Sequence, residues 1–144
     1  MKVYLDNCCF NRPFDDQASL IIQLETEAKL YVQELISQGD LSLTWSFVLD
    51  YENSANPFEE VRDKIAHWKT LAVDDCDFSA AIAEKASALM RMGLRHMDAS
   101  HLACALHLGA EYFLTTDKNI LNKQVADVKI INPIDFVRRY ADEK

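Results

Sequence analysis

Apolar and polar positions along the chain follow two periods: short runs rich in strand formers, and longer stretches with apolar residues three and four apart. Lys2 to Leu5 reads as a first strand, ended by Asp6-Asn7 and a loop through Pro13 studded with Asn and Asp. Ser19 to Ser37 reads as a helix whose apolar stripe is Leu20, Ile21, Leu24, Ala28, Tyr31, Leu35 and Ile36, and Gly39 stops it. Leu41 to Trp45 is a second strand, after which Ser46 is placed to cap a helix carrying Val48, Leu49 and Glu52 toward Pro57. A further helix is expected over Phe58 to Lys69. A brief apolar stretch, Leu71 to Val73, then leads to Asp77, a cap for the Ala-rich helix Phe78 to Met92 that Gly93 ends. The remaining elements are a helix from Met97 to Leu108 closed by Gly109, a strand at Tyr112 to Thr115 and a short helix from Asn119. A strand at Lys129 to Ile131 follows, and Pro133 opens a last helix toward Tyr140.

Strands alternating with helices predict an α/β fold in three layers, a mainly parallel sheet with helices on both faces. The chain has 144 residues, only three glycines and three prolines, and no low-complexity segment, so a single domain over residues 1–144 is expected. A chain of this length buries about 70% of its unfolded surface, and with 49% hydrophobic residues it needs no disulfide staples. Cys8 and Cys9 are neighbours, Cys76 and Cys104 stand apart, and no C-x-x-C spacing exists, so the cysteines are expected to be free core residues rather than zinc ligands. No run of eighteen apolar residues occurs and Met1 to Leu5 leads into no apolar signal region. A cytoplasmic protein away from membranes is expected.

With 23 acidic against 15 basic residues the formal charge is −8, which counts against broad electrostatic attraction to nucleic acid. The acidic residues nevertheless fall at informative places. Ligands of open parallel sheets bind at the carboxyl ends of the strands, and Asp6 and Asp117 both follow strands. Glu52 lies in the helix after the second strand, and Asp98 in the first turn of a helix. Singly, each serves a turn or cap. Together, four carboxylates converging on one rim repel one another unless a cation neutralises them, and oxygen-only ligands suit Mg²⁺ or Mn²⁺.

These residues sit in segments that resemble the PIN domain, the nuclease fold that includes the VapC-type toxins of bacterial toxin–antitoxin pairs. The resemblance covers nearly the whole chain. It rests on Val3-Tyr4-Leu5-Asp6, on Leu43-Thr44-Trp45-Ser46 with Glu52 downstream, on Asp98-Ala99-Ser100-His101-Leu102-Ala103-Cys104-Ala105 ending at Gly109-Ala110, and on Phe113-Leu114-Thr115-Thr116-Asp117. The last two segments are the most specific. The resemblance implies that Asp6, Glu52, Asp98 and Asp117 occupy the family's four acidic positions and that the activity is metal-dependent hydrolysis of RNA phosphodiester bonds. It also implies an antitoxin protein as partner and a homodimer. Asn7 departs from the pattern, since the family often has a small hydroxyl residue there, and tuning of the site rather than its loss is expected.

Around the quartet, His101 shares a helix face with Asp98, and a hydrogen bond to a neighbouring loop is preferred to metal ligation. Thr115 or Thr116 is expected to orient a carboxylate, and Ser46 to cap its helix. Arg12, Arg95, Lys118 and Lys123 are the candidates for RNA phosphates, while Trp45 and Trp68 read as core or interface. A phosphatase of the haloacid dehalogenase type would need an aspartate where Cys8 stands, and a receiver domain would need a central phospho-acceptor aspartate. The alternative of another class is a PIN-like fold that serves as a silent binding or scaffold module. The complete acidic quartet favours an enzyme.

Overall fold

The computed structural model describes residues 1–143. Five parallel strands form one sheet: β1 (Lys2–Leu5), β2 (Ser42–Ser46), β3 (Asp74–Cys76), β4 (Tyr112–Leu114) and β5 (Lys129–Ile131), in the order β3-β2-β1-β4-β5. Between and after them run α1 (Asn7–Asn11), α2 (Leu20–Ser37), α3 (Phe47–Ser54), α4 (Glu59–Lys69), α5 (Ala80–Met90), α6 (His96–His107), α7 (Lys118–Leu121) and α8 (Pro133–Glu143). The chain steps one way from β1 to β3, then crosses back to β4 and continues to β5. Right-handed crossovers in opposite directions put their helices on opposite faces, so the expected three layers form. On one face α8 packs against α2, and on the other α5 packs against α6.

Because β1 is central, its residues are buried on both sides, and Val3, Tyr4 and Leu5 have no exposed surface. Val3 sits opposite Leu43 of β2 and Tyr112 of β4. The Tyr4 ring stacks on Phe113 with centroids 5.3 Å apart, and Phe10 leans on Trp45 at the same separation. Trp45 is thus core, as expected, and its indole Nε1 donates to Asp50 Oδ1 at 2.9 Å. The reversal of direction between β1 and β4 is where a ligand crevice opens in such sheets.

Several local expectations shift. The stretch after Asp6 is no plain loop: the Asp6 carboxylate accepts from the Asn7 amide and starts the helical turn α1, followed by a 3₁₀ turn at Arg12–Phe14. The brief apolar stretch Leu71 to Val73 is not itself a strand; a strand follows it, where Asp74–Cys76 pairs with Thr44–Ser46 at the sheet edge. Asp77 is not the cap of α5. Ser79 is, its hydroxyl accepting from the Ile82 amide at 3.2 Å. The apolar stripe of α2 is buried only toward its C-terminus, at Ala28, Leu35 and Ile36, whereas Leu20, Ile21 and Leu24 remain exposed.

The Arg12–Phe14 turn is tied down by a buried carboxylate. Glu25 of α2, 5% exposed, accepts from Arg12 Nε at 3.1 Å and from Asn132 Nδ2 at 2.6 Å. Asn132 in turn starts α8 by accepting from the Ile134 amide. No helix among the described residues is long and apolar enough to cross a membrane.

Candidate metal centre

Asp6 leaves the buried end of β1 and is itself only 6% exposed. Both its oxygens are held: Oδ1 accepts from the Asn7 amide at 2.8 Å, and Oδ2 accepts from the Thr115 hydroxyl at 2.9 Å. Thr115 Oγ1 accepts in turn from the Asp117 amide at 3.1 Å. One buried hydroxyl therefore links the residue after β1 to the residue that caps α7 after β4. Asp117 performs that cap through Oδ1, which accepts from the Asn119 amide. Of the two threonines singled out in the sequence, Thr115 orients the carboxylate.

The Cys8 thiol, expected among core residues, is half-buried beside this link, 3.5 Å from both Asp6 Oδ2 and Thr115 Oγ1. All four cysteines are free. Cys9, its neighbour, is the one in the core, its thiol donating to the Leu114 carbonyl at 3.3 Å.

Asp98 enters from the first turn of α6. Its carboxyl is pushed up to about 6, first by burial and then by the negative charges of Asp6 and Asp117, with His101 and Arg95 pulling the other way. The Asp98 ionisation thus registers both other aspartates, which follow β1 and β4 with 110 residues of sequence between them. A cation among these carboxylates would remove the repulsion.

Glu52, on α3, meets Asp6 from across the crevice, and His101 of α6 lies between them. Ligand atoms of Asp6, Glu52 and His101 all lie within 4.8 Å of one another. His101 Nε2 is hydrogen-bonded to Glu52 Oε1 and is 3.6 Å from Asp6 Oδ1. On its other side His101 Nδ1 is 2.6 Å from the Tyr4 hydroxyl, which is 2.6 Å from Ser46 Oγ. Burial holds the Tyr4 phenol well above its ordinary range, so it stays protonated.

The hydrogen positions follow from the partners. With Glu52 ionised, Nε2 must carry a hydrogen, and Tyr4 can donate to Nδ1 while Ser46 donates to Tyr4. In that tautomer His101 is a donor that aims Glu52 rather than a lone pair for a metal. His101 is hydrogen-bonded, as expected, but its partners are a strand tyrosine and a helix glutamate, not a loop. Tyr4 was read only as a strand former. Nothing in its local sequence marks the buried hydroxyl, because its partners lie 42 and 97 residues away.

Among the described residues, Asp6, Glu52 and His101 come close enough together to hold a divalent cation, and Asp98 joins them through the charges of Asp6 and Asp117 rather than at ligand distance. Ser46 acts as expected, accepting from the Leu49 amide at 3.3 Å at the start of α3. Of the basic candidates, Arg12 is engaged by Asp15 at 2.9 Å and by Glu25, so it does not reach the rim. Arg95 and Lys123 do, lining with Asp98 and Asn119 a cleft of about 220 Å³.

Replacing Tyr4 by Phe should destabilise the fold by about 1–3 kcal/mol, because it leaves His101 Nδ1 and Ser46 Oγ buried without their partner. Urea unfolding of wild type and variant measures it. An unchanged midpoint would mean that the hydroxyl is not integral to the network.

An open parallel sheet with acidic residues gathered over the ends of β1 and β4 defines an α/β domain with a candidate metal centre at its strand ends. The chain belongs to the PIN domain family, whose profile matches residues 3–126, and PIN domains are generally nucleases. A similar solved structure is that of VapBC2 from Rickettsia felis bound to a DNA fragment from their promoter, with a TM-score of 0.59 and 16% identity, covering 92% of this chain and 98% of that one. At that identity the likeness is one of fold. No curated protein sequence matches the chain.

Proposed function

We propose that this protein is a Mg²⁺- or Mn²⁺-dependent endoribonuclease, acting in the cytoplasm as the toxin of a toxin–antitoxin pair. The observation that carries the reading is the meeting of Asp6, Glu52 and His101 within 4.8 Å at the strand ends, supported by the Asp98 carboxyl, which burial and then the charges of Asp6 and Asp117 push up. Such a cluster is unfavourable without a cation. When bound, the metal supplies an activated water and neutralises charge on a phosphate.

The protein's own residues do the positioning. Asp6, Asp98 and Asp117 would hold the ion, and the Thr115 hydroxyl keeps one oxygen of Asp6 from rotating. Glu52, aimed by His101, is a ligand or orients the attacking water. Arg95 and Lys123 offer the basic rim that a chain of net charge −8 otherwise lacks. The exposed Leu20, Ile21 and Leu24 of α2 supply an apolar surface for a protein partner. The fold likeness to a toxin–antitoxin complex supports an antitoxin in that role. A homodimer would lengthen the basic track.

The test is cleavage of a labelled RNA by protein freed of contaminating ribonuclease. Cleavage should require Mg²⁺ or Mn²⁺ and stop in excess EDTA. Undiminished cleavage in EDTA, or none with either metal, would reject the assignment.

A further inference from the structure

A second cavity, of about 280 Å³, is enclosed by the Phe10–Phe14 segment, α2 and α4. Its walls are apolar and largely planar: Phe10, Pro13, Phe14, Leu30, Ile65 and Trp68. In a chain with 23 acidic residues no carboxylate lines it, while Lys29, Lys64 and His67 do. The field inside is therefore opposite in sign to the protein as a whole.

Two polar side chains on successive turns of α2, Lys29 and Gln33, border the cavity. Lys29 is 3% exposed, yet its ammonium has neither a carboxylate nor a hydrogen-bond acceptor among the described residues. It lies 5.5 Å from the centroid of the Phe10 ring. Gln33 is 5% exposed, and its Nε2 is buried with no hydrogen-bond partner. Buried polar groups are almost always paired, but Gln33 Nε2 is not, and the Lys29 ammonium one turn away has no carboxylate beside it among the described residues.

We propose that this cavity binds a small aromatic carboxylate, its ring against Phe10, Phe14 and Trp68 and its oxygens accepting from Lys29 Nζ and Gln33 Nε2. Burial lowers the Lys29 amine to about 8, so it remains mostly cationic at neutral pH. Loss of that proton would not satisfy Gln33, whereas a carboxylate, with two acceptor oxygens, answers both donors. The volume lies just below the usual range of ligand pockets, roughly 300–1,000 Å³, which suits a single ring. Lys64 Nζ, 5.8 Å over the Phe14 ring, adds positive charge outside.

The site does not depend on the nuclease reading, and the experiment is run in EDTA on the full chain. Phenylacetate is titrated by calorimetry and by NMR, with phenylacetamide and acetate as probes lacking the charge and the ring. Phenylacetate should bind, with its shift changes centred on α2 and α4, and each control should bind at least tenfold more weakly.

Lys29→Met and Gln33→Leu should each weaken phenylacetate at least tenfold. Neither should lower the melting temperature, since each replaces an unpaired buried polar group by an apolar one of similar size. The proposal is overturned if phenylacetate fails to bind at millimolar concentration or if either control binds equally well. It is overturned too if both variants keep wild-type affinity, or if the shift changes map away from the cavity.

Discussion

Asp6→Asn and Asp98→Asn should each reduce RNA cleavage more than about 100-fold, because loss of a ligand costs more than the 10- to 100-fold typical of a supporting partner. Single-turnover cleavage at saturating Mn²⁺ measures it. The two variants should differ in stability for a reason the structure makes specific. Asp98 titrates at about 6 in the folded protein against 3.8 ordinarily. A carboxyl whose folded value is raised binds its proton more tightly when folded, so wild-type stability falls as pH rises from about 4 to 6 and does not recover above it.

Asp98→Asn removes that loss. In EDTA it should melt higher than wild type at pH 7 and show a flatter profile across the window, whereas below pH 4 the two should converge. A lower melting temperature at pH 7 would assign Asp98 a structural role. Asp6→Asn is expected to be closer to neutral, since Asn can still accept from the Asn7 amide and donate to Thr115 Oγ1.

The second large effect is metal-linked stability. An ion that binds only the folded state raises stability by RT ln(1 + [L]/Kd), about 2.7 kcal/mol at a hundredfold excess of Mn²⁺ over its Kd. That corresponds to a rise in Tm on the order of 10 °C for a domain of this size. The rise should vanish or shrink strongly in Asp117→Asn. It should persist in Asp74→Asn, because Asp74 lies half-exposed on edge strand β3, 3.7 Å from Lys2 Nζ. Equal shifts in the two variants would mean that the ion binds elsewhere, and no shift in wild type would favour a silent scaffold.

Strands β1, β2, β4 and β5 and the aspartates that follow β1 and β4 were legible because each rests on a short-range signal. An apolar run ending in Asp marks Asp6, and the Thr115-Thr116-Asp117 sequence marks the cap after β4. What escaped was set by tertiary contact. β3 contains two aspartates and is a strand only because β2 offers it a pairing edge, which overrides propensity. Asn7–Asn11 is helical because Asp6 caps it.

Lys29 and Gln33 read as the polar side of an amphipathic helix, and only the packing of α1 and α4 against that side buries them. The His101–Tyr4 contact joins two elements that no periodicity connects. The acidic quartet was visible, therefore, while the hydrogen bonds that aim its members were not.

The central place of β1 carries a consequence for how the protein is made. β1 is the first strand to leave the ribosome, but one of its two hydrogen-bonding neighbours is β4, whose Phe113 lies opposite Tyr4. Until more than a hundred further residues have been synthesised, Asp6 has neither Thr115 nor Asp117 beside it. Contacts so distant in sequence form late and slow the search for the native state. A nascent or prematurely terminated chain that lacks β4 thus cannot assemble the acidic centre, and any ability to cut RNA arises only once β4 has been made.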